Sequence, residues 1–306
     1  MEKLRYERPV INKVLSGLPD KFGAKFRIDP RTDIEGHSVK ELLDTYGSPL
    51  YVISENTIRN SYRDLYQAFS SRYPKVQMAW SYKTNYLDAV CRIFHREGSW
   101  AEVVSWFEYE KALNNGVDPK KIIFNGPHKS AEELRQSILG GSLIHIDHFD
   151  ELYLILELLQ QIPIKAKVAI RVNMDTGIYP HWERFGFNYE NGEAWNAINR
   201  IMNSEKMEFV GIHTHIGTYI MSTSAYAVAA AKLADLAVRT DRKYDHKVKY
   251  IDMCGGFATS NTLKGAYLPG SDTCPTFDDY AEAITGALLS SEIRPEELPL
   301  LILETG

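Results

Sequence analysis

From Pro49 to its last residue the chain keeps repeating one pattern, a short apolar run followed by a longer amphipathic stretch. Short apolar runs suit strands buried on both faces. Stretches with apolar residues three and four apart suit the helices that cover them. A chain with this rhythm folds as a parallel sheet with helical crossovers, either wound open or closed into a barrel. The spacing predicts strands at 76–82, 100–104, 122–125, 142–146, 167–172, 209–215, 250–253 and 300–303, after an opening strand at 50–53 and a helix near 56–71. Helical patterns run through 132–139, 149–160, 194–202 and 224–238. Leaving out the opening strand, eight βα units remain, so the expected fold is α/β, a closed (β/α)8 barrel of the TIM type. Periodicity alone cannot separate a closed sheet from an open doubly wound one, which stands as the alternative.

Composition narrows the function. The 306 residues carry 35 Lys plus Arg against 40 Asp plus Glu, a formal charge of −5. No global basic field draws such a chain to nucleic acid or to an acidic membrane, so a small-molecule partner is expected. Cys91, Cys254 and Cys274 are far apart and lack CxxC spacing, which argues against a disulfide framework and a structural zinc site and fits a reducing, cytoplasmic setting. Residues 1–17 lack the apolar core of a secretory signal, and no run approaches the ~18 apolar residues of a membrane span. Residues 1–45, charged and punctuated by Pro9, Pro19 and Pro30, read as an extension ahead of a barrel over 46–306.

In a βα barrel the chemistry gathers where the strands end. The first strand closes on Lys83-Thr-Asn85, an amine able to form a Schiff base; an isolated lysine at a strand end is otherwise merely solvated. The second ends Glu102-Val-Val-Ser105, and Ser105, Ser130 and Asp147 suit helix N-caps. Arg171 interrupts an apolar strand and requires a carboxylate partner or an anionic ligand. In Gly211-Ile-His213-Thr-His215-Ile-Gly217-Thr218 the two histidines share one strand face. A zinc pair is one reading, but no third ligand stands at a convincing spacing, so no metal is expected. The others are a core histidine pair, or an imidazole stacked on a planar cofactor with Gly217 and Thr218 offering donors to an anion. Cys254-Gly255-Gly256 allows close backbone approach to a phosphate, and Glu304-Thr305-Gly306 puts a carboxylate where closure would bring it beside Lys83. An amine, a flat ring, an anion cradle and a carboxylate on one rim are what pyridoxal 5′-phosphate requires.

These strings make residues 45–306 resemble the fold-type III pyridoxal-phosphate decarboxylases, in particular the diaminopimelate decarboxylase branch, whose barrel is shared with alanine racemase and ornithine decarboxylase. Ser81-Tyr-Lys83-Thr-Asn85 is similar to the family's Schiff-base lysine context, Glu102-Val-Val-Ser105 to its Asp-Val-Val-Ser segment, Arg171-Val-Asn173 to Arg-Val-Asn, and Arg184-Phe-Gly186 to Lys-Phe-Gly. The resemblance implies catalytic roles for Lys83, His215 and Glu304. It implies cofactor contacts from Lys83, His215, Thr218, Cys254, Gly255, Gly256, Glu304, Thr305 and Gly306, with Glu102, Arg171 and His213 as supporting or substrate-side residues. Two departures stand out: Cys254 replaces the first of three glycines, and the Glu-Pro-Gly-Arg signature reads Glu304-Thr305-Gly306 with nothing after it. The expectation is therefore a fragment, cut before a C-terminal β-domain to which the N-terminal extension belongs, and a homodimer once that domain is present. The implied activity is decarboxylation of an amino acid, meso-diaminopimelate to lysine by default. The alternatives are a racemase on the same barrel, which would place an arginine where Glu304 stands, a non-catalytic cofactor-binding paralogue, and, more distantly, a metal-dependent barrel hydrolase.

Overall fold

The computed structural model describes residues 31–178, 182–259 and 274–305. The chain divides into two compact units, 1–52 with 259–274, and 53–258 with 275–306. In the first, β1 (Asp33–Ile34) and β2 (His37–Ser38) form an antiparallel hairpin that turns through Glu35 and Gly36, both at positive φ. Helix α1 (Val39–Tyr46) follows, its N-cap Ser38 side chain accepting the Glu41 amide. These elements fall within what the sequence offered only as an extension. The opening strand expected at 50–53 does not form: these residues are unpaired, and Tyr51 is 93% exposed. An apolar, β-prone run becomes a strand only where it finds a ladder to join, and residues 50–53 pair with none.

In the second unit, α2 (Glu55–Ser70) precedes the barrel strands β3 (Val76–Ser81), β4 (Trp100–Val103), β5 (Ile122–Phe124), β6 (Leu143–Ile146) and β7 (Ala166–Asn173). A short β8 (Phe187–Asn188), not foreseen from sequence, pairs only with β7. Strands β9 (Met207–Thr214), β10 (Tyr250–Asp252) and β11 (Leu300–Thr305) complete the set. Every ladder is parallel, β6 pairs with β7, and β11 returns to pair with β3, so eight strands close into a barrel. The open-sheet alternative is thereby excluded. Helices α3 (Asp88–Arg96), α4 (Trp106–Asn114), α5 (Ala131–Gly140), α6 (Phe149–Leu158), α7 (Glu193–Met202), α8 (Thr223–Tyr244) and α9 (Phe277–Leu289) fill the crossovers. Among the described residues no helix is long and apolar enough to cross a membrane.

Local chemistry fixes where these helices start. Ser105 caps α4, and Ser130 with Glu133 and Thr276 with Asp279 form reciprocal capping boxes on α5 and α9. Asp147 is not a cap. His148 takes that position on α6, its Nδ1 accepting the Glu151 amide, while the Asp147 amide donates to the Glu151 carboxylate.

Inside the barrel the side chains lie in layers. Ala79, Ile123, Leu143, Ala169, Tyr250 and Ile302 belong to an apolar floor. Two residues further along the same strands stand Ser81, Asn125, His145, Arg171, Asp252 and Glu304, all buried. Because side chains alternate with period two, one pleat step carries each strand from apolar floor to polar layer on the same inward face. Gly211 leaves room for the Tyr250 ring of the floor: a Cβ there would lie 2.3 Å from the ring. Gly211→Ala is accordingly expected to destabilise the fold by about 1–3 kcal/mol through overpacking. Equilibrium urea unfolding measures it, and an unchanged midpoint would show that the Tyr250 ring moves freely.

Candidate active site

Lys83 sits just past the end of β3, its side chain 40% exposed in the barrel mouth. Its Nζ donates to Glu102 Oε2 at 3.1 Å, and Ser81 Oγ donates to the same oxygen. Burial would lower the Lys83 pKa, but the negative potential of Glu102, Cys254 and Glu304 outweighs it and holds the ammonium above its usual range. Burial pushes Glu102 up to about 7, against the pull of Lys83. Lys129 shows the contrast. It is fully buried and donates to the carbonyls of Gly126 and His145 and to Glu151 Oε1 at 2.6 Å, tying the loop after β5 to β6 and α6. One lysine is a satisfied brace; the other is accessible and amid acids.

Glu304 faces inward from β11, two strands from β9 and next to β3. Both its carboxylate oxygens are buried without a hydrogen-bond partner among the described residues. His213 Nε2 lies 3.4 Å from Glu304 Oε2 and 3.3 Å from Asn125 Nδ2. Burial would raise the Glu304 pKa, but His213 and Lys83 outweigh it and keep the carboxyl well below its ordinary value. His215, just beyond β9, is pushed down to about 3 by burial and by the charges of Arg171 and Lys83, so its imidazole is neutral at physiological pH. The Trp182 ring meets it edge-on, 5.7 Å between centroids. Of the two histidines only His213 lies within β9, which ends at Thr214. His213 belongs to the buried layer with His145, 4.7 Å away ring to ring, and His215 lies in the mouth.

Of the two partners the sequence offered Arg171, the structure supplies a carboxylate, at a distance. Asp147 Oδ1 lies 3.8 Å from its Nη1, too far for a hydrogen bond, and the Phe185 ring lies 4.9 Å from its guanidinium carbon. The Cys254-Gly255-Gly256 turn packs backbone to backbone against its neighbours. A Cβ on Gly255 would be 2.1 Å from the Glu304 carbonyl oxygen, and one on Gly256 would be 2.1 Å from that of Gly217. Cys254 holds φ of 55°, a left-handed conformation usually left to glycine. Its amide donates to Asp252 Oδ1 at 2.8 Å. Tyr226 of α8 donates its hydroxyl to the Gly255 carbonyl, and Tyr280 of α9 donates to Ile220, so two helices brace the turn. The Gly255 and Gly256 amides are paired with no acceptor among the described residues. Exposed Thr218 follows Gly217, and Thr305 ends β11 opposite Trp80. Gly306 lies outside the described residues.

The sequence reading gave no role to Asp252, His145, Ser81, Trp182 or the two bracing tyrosines. Asp252 and His145 carried a usable signal, a polar residue on the inward phase of an apolar strand. Trp182, Tyr226 and Tyr280 reach the site only through tertiary packing.

Residues 57–306 match the family model of the pyridoxal-dependent decarboxylases, their pyridoxal binding domain. The chain belongs to this family. It is similar to the diaminopimelate decarboxylase of Methanothermobacter thermautotrophicus, 33% identical over 281 residues, covering 89% of this chain and 63% of that protein. The enzyme of the same name from Methanocaldococcus jannaschii is 30% identical over 291 residues, covering 91% and 64%. The crystal structure of that decarboxylase in complex with L-lysine matches with a TM-score of 0.80 over 90% of this chain and 64% of the other. The chain thus spans a little under two thirds of the length of the relatives it matches.

This pyridoxal-binding domain also fits its cofactor locally. It offers an accessible amine, two donorless carboxylate oxygens and unpaired glycine amides on one rim. Replacing Glu102 by Gln removes the partner that does most to raise the Lys83 pKa. Labelling of Lys83 by an amine-reactive reagent, read by peptide mass spectrometry, is therefore expected to set in at lower pH in Glu102→Gln than in the wild type; identical pH profiles would show that Glu102 does not govern this amine.

Proposed function

We propose that this barrel is the cofactor-bearing part of an amino-acid decarboxylase of the diaminopimelate type, converting meso-diaminopimelate to lysine. The observation that carries the reading is the buried, donorless carboxylate of Glu304 on the strand paired to the one that ends at Lys83. The relatives named diaminopimelate decarboxylase, at 30–33% identity, support the substrate class.

When bound, pyridoxal phosphate supplies an electron sink for the pair left behind as a substrate carboxylate departs as carbon dioxide. The chain's own residues do the rest. Lys83 supplies the amine that anchors the cofactor, and Glu102 orients that amine by accepting a hydrogen bond from its Nζ at 3.1 Å. Glu304, an anion in a water-poor site, stabilises a proton at the ring nitrogen. Neutral His215 offers a flat, uncharged face for the ring to pack on. Thr218, Cys254, Gly255, Gly256 and Thr305 form the phosphate side, and Arg171 and His213 support the acids. An acid rather than an arginine at position 304 favours decarboxylation over racemisation, in which the ring nitrogen is best left unprotonated. The whole protein is read as a cytoplasmic homodimer acting on a free amino acid.

Carbon dioxide release from meso-diaminopimelate, with lysine as co-product, is the direct assay on the protein that carries this barrel. Glu304→Gln is expected to lower kcat on the order of a hundredfold. Racemisation without carbon dioxide would replace the reading with the racemase alternative, and tight cofactor binding without turnover of any amino acid would replace it with the non-catalytic one.

A further inference from the structure

Beside Glu304, in the same buried layer, lies an acid the proposed reaction does not use. Asp252 is fully buried on β10, with Oδ1 accepting the Cys254 amide and Oδ2 without any partner among the described residues. One ligand-type atom from each of Asp252, Glu304, His145 and His213 lies within 4.8 Å of the others. Two carboxylates this close in a dry interior cannot both be ionised unless a cation stands between them. None does. His213 and His145 are pressed toward their neutral forms by burial, and His145 Nε2 is engaged with the Tyr250 hydroxyl. The Lys83 ammonium is held by Glu102, which itself adds negative potential at Asp252. One proton held between the two acids would pair Asp252 Oδ2 with one Glu304 oxygen and leave the other Glu304 oxygen open.

We propose that Asp252 is a positioning residue that remains protonated in the folded protein and donates its proton to the Glu304 carboxylate, while its other oxygen holds the Cys254 amide. This deepens the reading of Glu304 as the ring-nitrogen partner and rests on it for its purpose. A single side chain then ties the two parts of the cofactor site together, the acid under the ring and the turn on the phosphate side. The arrangement also explains how Glu304 stays anionic so deep in the barrel: it receives a hydrogen bond from an acid rather than repulsion from an anion. Burial, then Glu304, push the Asp252 pKa well above its ordinary value, in the same direction as the geometry. Cys254, with its left-handed φ, is the residue that most requires this tether, since glycine would hold that conformation unaided.

The proton can be counted without cofactor or substrate. The unfolded chain ionises Asp252 near the usual aspartate value and the folded chain does not, so the native state binds one proton more and wild-type stability falls as pH rises. In Asp252→Asn the amide keeps the donor to Glu304 and the acceptor for Cys254 but cannot titrate. In urea unfolding of the cofactor-free chain between about pH 5.5 and 7.5, the wild-type folding constant is expected to fall tenfold per pH unit relative to Asp252→Asn. Parallel pH dependences would overturn the proposal, as would a stoichiometric divalent ion in the purified protein, which would neutralise the pair in place of the proton. Should the variant fail to fold, the wild type decides alone: an infrared band of a protonated carboxyl at neutral pH that shifts on carbonyl labelling of aspartate is expected, and its absence contradicts the proposal. Asp252→Leu is expected to weaken pyridoxal phosphate binding about tenfold while Asp252→Asn preserves it. The unfolding result stands even if the cofactor reading fails, because no cofactor enters that experiment.

Discussion

The parallel ladder between β11 and β3, running from Leu301 opposite Val76 to Thr305 opposite Trp80, is the constraint on which the site depends. It joins the last strand to the first strand of the barrel, and so sets the carboxylate of the last strand on the same rim as the lysine that follows the first. A shift of one residue would turn Glu304 outward and bring an apolar neighbour inward, because inward and outward positions alternate. The same phase rule acts on every strand. It lays an apolar floor and then, one pleat step higher, a layer of acids, imidazoles and one guanidinium that could not be buried singly.

That layer stays buried because its charges are few. Burial presses the histidines toward their neutral forms and lifts Glu102 to about 7, and Lys83 is drawn to acids on two neighbouring strands. Glu304 is the anion the site keeps, its pKa held well below the ordinary value, and it can still offer an oxygen to an incoming partner. Around this polar layer the backbone is packed without slack. Gly255 and Gly256 approach neighbouring carbonyls too closely for any side chain, and tyrosines from α8 and α9 hold the turn from outside.

Much of this was legible in the sequence because strands buried on both faces leave a strong signal. The eight apolar runs lie within a residue or two of the eight barrel strands, and Lys83, Glu102, Arg171, His213, Cys254 and Glu304 stood out as polar residues at the ends of such runs. What escaped has physical reasons. Residues 50–53 carry strand-forming side chains but have no ladder to join. Asp147 looks like a helix cap, yet its neighbour His148 reaches the Glu151 amide instead. Asp252 and His145 sat in plain view on the inward phase, but their importance comes from closure, which brings β6, β9, β10 and β11 around one point. Tyr226 and Tyr280 lie on amphipathic helices, where nothing local distinguishes a bracing hydroxyl from an ordinary core aromatic.

The central claim is that Lys83 is the amine to which this rim attaches pyridoxal phosphate. Borohydride reduction of the protein incubated with the cofactor, followed by peptide mass spectrometry, tests it most directly. The account requires a single reduced adduct on Lys83 and loss of the cofactor's visible absorbance band in Lys83→Ala. An adduct on buried Lys129 or scattered over surface lysines, with the band unchanged in Lys83→Ala, would contradict it.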